Sequence, residues 1–193
     1  MAETIIMVRI RLHAEDVKAA NAYAKAVQDA LKGVDGFQGF GVWQNVQDPL
    51  ARLVLFSYAS PEAAQRGLVA ISARRSLVER QGKGAEPAHV LGLKVIHSEG
   101  ALAHGLCQAP ALSISIRIAE PGYGADLIDV YFRTFAELAA IPGFAGMLVA
   151  VNENLPEEVV GLAAWDDEKA FRASLPHQKV YQVKLYERSF DDE

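Results

Sequence analysis

Cysteine is nearly missing from this chain. Cys107 is the only one in 193 residues, so no intramolecular disulfide can form. It stands among small residues with only His104 nearby, and reads as a spectator thiol rather than a nucleophile. Positive charge is not in excess either. Nineteen Lys and Arg face 24 Asp and Glu, for a net charge of -5, which argues against a nucleic-acid partner. The only dense basic stretch is Arg74-Arg75 with Arg80 and Lys83; it reads as a solvated face, with an anion-binding rim as the alternative. No apolar run approaches the length of a membrane span, so no membrane partner is expected. Residues 4–10 are strand-like, with Glu3 before them and no basic n-region, which does not describe a signal peptide. A cytoplasmic location is the expectation, consistent with a lone reduced thiol. His13, His89, His97 and His104 show no metal-ligand spacing. There is no Walker loop, no nucleophile elbow, and Gly36, Gly39 and Gly41 have the wrong spacing for a dinucleotide fingerprint. No metal and no bound cofactor is therefore implied.

What the chain does contain, it contains twice. Gly36-Phe37-Gln38-Gly39 recurs 107 residues later as Gly143-Phe144-Ala145-Gly146. The match continues without a gap through Val42/Val149, Asn45/Asn152, Pro49/Pro156 and Leu55/Leu162 to Tyr58/Trp165, with seven identities in 23 positions. A duplication of this length constrains architecture more than any single motif.

Each copy reads strand, helix, strand, strand, helix, strand. Val8, Ile10 and Leu12 alternate with Arg9 and Arg11, the period-two pattern of a strand with two different faces. A helix is predicted over 14–32, with Val17, Ala20, Ala24, Val27 and Leu31 on one stripe and Gly33 ending it. Strands are predicted over 37–45 and 52–58, with Asp48-Pro49 in the turn. Ser60-Pro61-Glu62 is a helix start, and the fourth strand covers 89–96. In the second copy Leu112, Ile114, Ile116 and Ile118 alternate with Ser113, Ser115 and Arg117. A helix follows over 125–140 with Leu127, Tyr131, Phe135 and Leu138 inward, then strands over 144–152 and 159–165. Asp166 or Asp167 caps a short helix that Pro176 ends, and a strand over 181–188 closes the unit. The expected division is 1–97 for the first repeat, with an insertion at about 72–88, then a linker over 98–110 and the second repeat over 111–193.

A βαββαβ unit is a ferredoxin-like sandwich, an α+β fold with both helices on one face of an antiparallel sheet. The second and third strands are apolar on both parities, as in Phe40, Val42 against Gly41, Trp43. Such strands are covered on both faces. The simplest cover is the other copy, so the expected fold is tandem ferredoxin-like repeats packed sheet to sheet within one chain.

The pattern resembles the dimeric α+β barrel superfamily, and within it the antibiotic biosynthesis monooxygenase (ABM) group. The residues that carry the likeness are Asp35-Gly36-Phe37 and Pro142-Gly143-Phe144 entering the second strand, the aromatics Tyr58 and Trp165 ending the third, and the run from Ala164 to Phe171. The resemblance implies two units closing a barrel with a ligand cavity between the sheets, here as a monomer with an internal pseudo-dimer, or a homodimer of such chains. It implies three functions: oxidation of an aromatic or quinone-type small molecule by O2 with neither metal nor flavin, a binding or stress-related barrel without turnover, or haem binding and opening. Trp165 matches the family tryptophan, and His177 lies near the place of a haem-opening histidine. Ser113 or Ser115 stands where the haem-opening branch has asparagine, and Gly161 where quinol oxidisers have one.

On this reading Trp165 shapes the pocket, Arg117, Arg9 and Arg11 stabilise a substrate anion, and His177 or Tyr181 handles a proton. The polar face of the first strands, with Ser115, is expected to look into the barrel. Ala163 and Gly161 share the face of Trp165, whereas Phe56 and Val54 fill the same face beside Tyr58. The expectation is one surviving cavity, in the second copy.

Overall fold

Alternation along each strand sorts residues between two cores, one inside a barrel and one under the helices. The computed structural model describes residues 3–74, 85–86, 88–103, 109–175 and 184–188. The first repeat comprises β1 (Thr4–Arg11), a 3-10 turn (Ala14–Asp16), α1 (Val17–Leu31), β2 (Phe37–Asn45), β3 (Ala51–Tyr58), α2 (Pro61–Ser72) and β4 (His89–Gly100). The second comprises β5 (Ala111–Ile118), α3 (Gly124–Leu138), β6 (Phe144–Asn152), β7 (Leu155–Trp165), α4 (Glu168–Ser174) and β8 (Lys184–Arg188). Thr4 and Ala111, Val17 and Gly124, Phe37 and Phe144, and Pro61 and Glu168 open equivalent elements, and each pair is 107 residues apart. The duplication therefore runs in step from the first strand to the second helix.

The strands close into one antiparallel barrel in the order β1-β3-β2-β8-β5-β7-β6-β4. Each repeat supplies four neighbouring strands, and the sheets join edge to edge through β2 with β8 and β4 with β6. This is the expected intramolecular α+β barrel. Its interior holds a core of the described residues. Ile5, Met7, Trp43, Leu55, Leu93, Leu112, Leu148 and Leu162 converge there in one buried cluster. Trp43 is fully buried and donates its Nε1 proton to the Ala109 carbonyl at 3.0 Å. Side chains thus occupy the space between the sheets at this level, and room for a ligand is found at the end of the barrel.

The repeated motif is a docking device for the helix layer. Gly36 and Gly143 hold φ of +82° and +85°, where a side chain would be strained. A Cβ on either would lie 2.6 Å from Ala63 Cβ or 2.5 Å from Ala170 Cβ, in the first turns of α2 and α4. Ser60 and Asp167 cap those helices, accepting from the Ala63 and Ala170 amides. Phe37 then packs on Tyr58, and Phe144 on Trp165, with ring centroids 5.7 and 5.4 Å apart. The Asn45/Asn152 identity is turn chemistry: Asn45 Oδ1 accepts from the Gln47 and Asp48 amides, and Asn152 Oδ1 from that of Asn154.

β4 runs to Gly100, past the expected end at 96, because a bulge between Val95 and His97 resets the alternation while pairing with β6 continues. The polar run His97-Ser98-Glu99 therefore belongs to a strand, although it reads as linker. Cys107 and His104 lie outside the described residues, as does most of the first-copy insertion.

Candidate functional site

The second-copy residues singled out from the sequence gather in the helix layer rather than in the barrel. Ala111, Ala163, Trp165 and Val159 belong to the cluster formed with Tyr131 and Phe135 of α3 and Phe171 of α4. The polar face of β5 also points there, which corrects the expectation that Ser113, Ser115 and Arg117 look inward. Their partners explain it. Trp165 Nε1 donates to Ser113 Oγ at 2.9 Å, and the Tyr131 hydroxyl donates to the Ser115 carbonyl and hydroxyl oxygens, each at 3.1 Å. A buried serine is inexpensive once a partner sits on it. Ala163 and Gly161 do leave room, but aromatic rings fill it: a Cβ on Gly161 would lie 2.4 Å from Tyr131 Cε1. Trp165 is fully buried between Phe144 and Phe171. Burial raises the Tyr131 pKa, while the Ser115 hydrogen bond and the Arg117 charge lower it by less. His177 and Tyr181 lie outside the described residues.

Tyr58 is the first-copy equivalent of Trp165, and burial pushes its pKa to about 12. The unfolded chain releases this proton near pH 10, so the folded state holds it longer. Stability is full below about pH 10 and falls by roughly 2–3 kcal/mol as pH rises toward 12. Tyr58→Phe is expected to flatten that alkaline loss in urea denaturation across pH 9–12.

The inward face of β1 tells a different story. Ile5 and Met7 enter the barrel core, and Arg9 and Arg11 continue the same alternation out to its mouth. There they line a cavity of about 500 Å³. Its cations are Arg9, Arg11, Arg52 and Lys184, and its carboxylates are Asp48 and Glu86. This is a local positive excess on a chain of net charge -5. His89 and Tyr186 complete the chemistry of the wall.

Arg11 is already matched, with Nε 3.0 Å from Asp48 and Nη1 3.0 Å from Glu86. The Arg11 hydrogen bond, aided by the Leu50 amide, holds the Asp48 carboxyl below the usual carboxylate range. Arg52 is buried, and its Nη1 donates to the carbonyls of Pro49 and Ala51. The Nε atoms of Arg9 and Arg52 are both buried without a hydrogen-bond partner. Sequence alone singled out Arg9 and Arg11, but not Arg52, His89 or Lys184. Lys184 was hidden because β8 aligns by register: Ile114 pairs with Lys184 as Met7 pairs with Leu91, so the lysine occupies an inward position that is leucine in the first copy. Elsewhere, ligand atoms of His13, Glu15 and Asp16 lie within 4.8 Å of one another on the exposed 3-10 turn. That is an arrangement of surface acids with nothing further at it.

Residues 111–182 match the family model described as antibiotic biosynthesis monooxygenase. The match covers the second repeat. No curated protein matches the chain. Among solved structures, an anthrone oxidase-like protein is similar with a TM-score of 0.73 at 14% identity, over 98% of this chain and 92% of its own. A monooxygenase-like protein from Listeria innocua gives 0.57 at 10% identity, over 99% and 96%. A heme-binding protein from Thermus thermophilus gives 0.60 at 9%, over 97% and 92%. At these identities the likeness is one of fold. The fold is the ABM-like α+β barrel, built from two fused repeats. No helix among the described residues is long and apolar enough to cross a membrane.

Proposed function

We propose that the protein is an ABM-type oxygenase that acts on a small aromatic molecule of the quinol or anthrone kind, using O2 with neither metal nor flavin, at the mouth of its barrel. The observation that carries this reading is the cation-walled cavity of about 500 Å³, a size suited to such a ligand. The chemistry begins when the substrate loses a proton, for which the His89 imidazole is the candidate acceptor. The resulting oxyanion is stabilised by Arg9 and Lys184 as charge-assisted donors. The electron-rich carbon of the anion adds O2, and the resulting peroxide anion takes back the proton held by His89 to give a hydroperoxide. Loss of water then leaves a carbonyl, with one oxygen atom in the product and the other in the water. Trp165 pairs with Ala111 at the start of β5, at the other end of the barrel, and is given no part in this chemistry.

Oxygen consumption with a panel of hydroquinones and anthrones tests the proposal. Uptake is expected with at least one of them, and Arg9→Gln is expected to lower kcat/KM by about tenfold or more. The half-exposed Arg11, Asp48 and Glu86 also leave the mouth open to water, which favours a second reading, binding without turnover. A flat oxygen trace across the panel, with an aromatic ligand retained on purification, would replace the first reading by the second.

A further inference from the structure

We infer that the ligand of the mouth carries a permanent carboxylate on an apolar body, with the acid end held by Arg9 and Lys184 and the body directed toward the opposite wall. The inference rests on the mouth being the binding site, and it adds a class of ligand to that reading.

Three observations carry it. First, donors are left over. Arg9 has no hydrogen-bond acceptor for its Nε and no carboxylate partner, although it lines the cavity. A buried cation without an acceptor is costly, so its guanidinium is available to an acceptor from outside. Asp48 and Glu86 are engaged by Arg11, and no carboxylate among the described residues pairs with Arg9 or Lys184. A planar carboxylate suits guanidinium donors, which present their protons in a fixed fork.

Second, the fold does not require these charges. By pairing register Arg9 corresponds to Ile116, Arg11 to Ile118 and Lys184 to Leu91. The other copy fills every one of these inward positions with an aliphatic side chain. Packing alone is satisfied without cations, so the cations are explained by what they face.

Third, the two halves of the mouth differ in kind. β1 and β5 lie four strands apart in the eight-strand ring. Since neighbours are antiparallel, the two strands run parallel and end at the same mouth, on opposite walls. One wall offers Arg9 and Arg11; the other, beyond the residues that line the cavity itself, offers Ile116 and Ile118, the latter 65% exposed and paired across the strands with Glu158, whose buried carboxylate accepts from the Asn152 amide. Leu155, at the start of β7 on the same side, is also exposed. A ligand charged at one end and apolar at the other satisfies both walls. A quinol without an acid group would match these donors only after losing its proton, whereas a carboxylate matches them on binding.

Calorimetric titration with 2-naphthoate, its neutral isostere 2-naphthamide, and acetate as the head group alone tests this without turnover. Naphthoate is expected to bind at least about tenfold more tightly than either, and to weaken as salt shortens the screening length. Arg9→Gln is expected to lower naphthoate affinity about tenfold or more and leave naphthamide unchanged. Lys184→Gln, on a different strand, repeats the test should Arg9→Gln fail to fold. Ile118→Ser, at an exposed position, is expected to weaken naphthoate about threefold to tenfold while sparing acetate. Equal binding of naphthamide and naphthoate, or an unchanged naphthoate affinity in folded Arg9→Gln and Lys184→Gln, would overturn the carboxylate. Equal binding of acetate and naphthoate would overturn the apolar body. Naphthoate binding with no oxygen uptake from any substrate would leave this inference standing and remove the oxygenase. Uptake from quinols that naphthoate does not inhibit would do the reverse.

Discussion

Trp165→Ala is expected to destabilise the protein by about 3–5 kcal/mol, lowering Tm by on the order of 10 °C. Trp165 is fully buried, with rings of Phe144 and Phe171 meeting it edge to face at 5.4 and 5.9 Å. Truncation opens a cavity at the junction of β6, β7 and α4, and removes the donor bonded to Ser113 Oγ. Thermal and urea unfolding read the effect directly. A variant as stable as the parent would show that Trp165 is no anchor. This has a bearing on any activity assay, because loss of oxygen uptake in Trp165→Ala would report loss of the helix layer as readily as loss of chemistry. Trp165→Phe keeps most of the ring contacts and is the fairer probe of a role in turnover.

The second large effect concerns Gly161, whose first-copy equivalent is Val54. Gly161→Val is expected to cost about 3 kcal/mol, since its side chain would displace the Tyr131 ring and break the hydrogen bonds to Ser115. The first copy shows how the same position accommodates valine. Tyr131 corresponds to Ala24 there, because α1 and α3 start 107 residues apart. Gly161→Val combined with Tyr131→Ala reproduces the first-copy pair. The double variant is expected to be more stable than the sum of the two single losses predicts, by about 1–2 kcal/mol in a double-mutant cycle. Strict additivity would mean that the ring and the glycine are not in contact.

The same pair shows where sequence reading reached and where it stopped. Element order and most boundaries were legible, because the repeat aligns every strand and the caps at Ser60 and Asp167 mark helix starts. Closure was legible in the double-sided apolarity of β2 and β3. The orientation of β5 was not. Alternation shows that a strand has two unlike faces; it does not say which face meets a helix. Ser113 and Ser115 looked solvent- or cavity-facing because their partners, Trp165 and Tyr131, arrive from 52 and 16 residues away. Ala163 and Gly161 signalled space correctly, but the bulk that fills it is written on α3. Arg9 and Arg11 lie on the strand face that carries Ile5 and Met7 into the barrel, which alternation along one strand does make readable. Arg52 and Lys184 join them through turn geometry and strand register, which depend on pairings that no local pattern states.

A barrel assembled from two identical chains must obey a twofold axis, which presents every mouth residue twice and puts each copy opposite its own image. Arginine at the β1 position would then face arginine across the opening. Joining the halves in one chain removes that constraint. The Arg9 wall and the Ile116 wall can coexist only because the molecule is free to be asymmetric at this mouth. Covalent fusion thus supplies polarity as well as a fixed stoichiometry. A ligand of the proposed kind would then enter in one orientation, where a symmetric mouth would accept two.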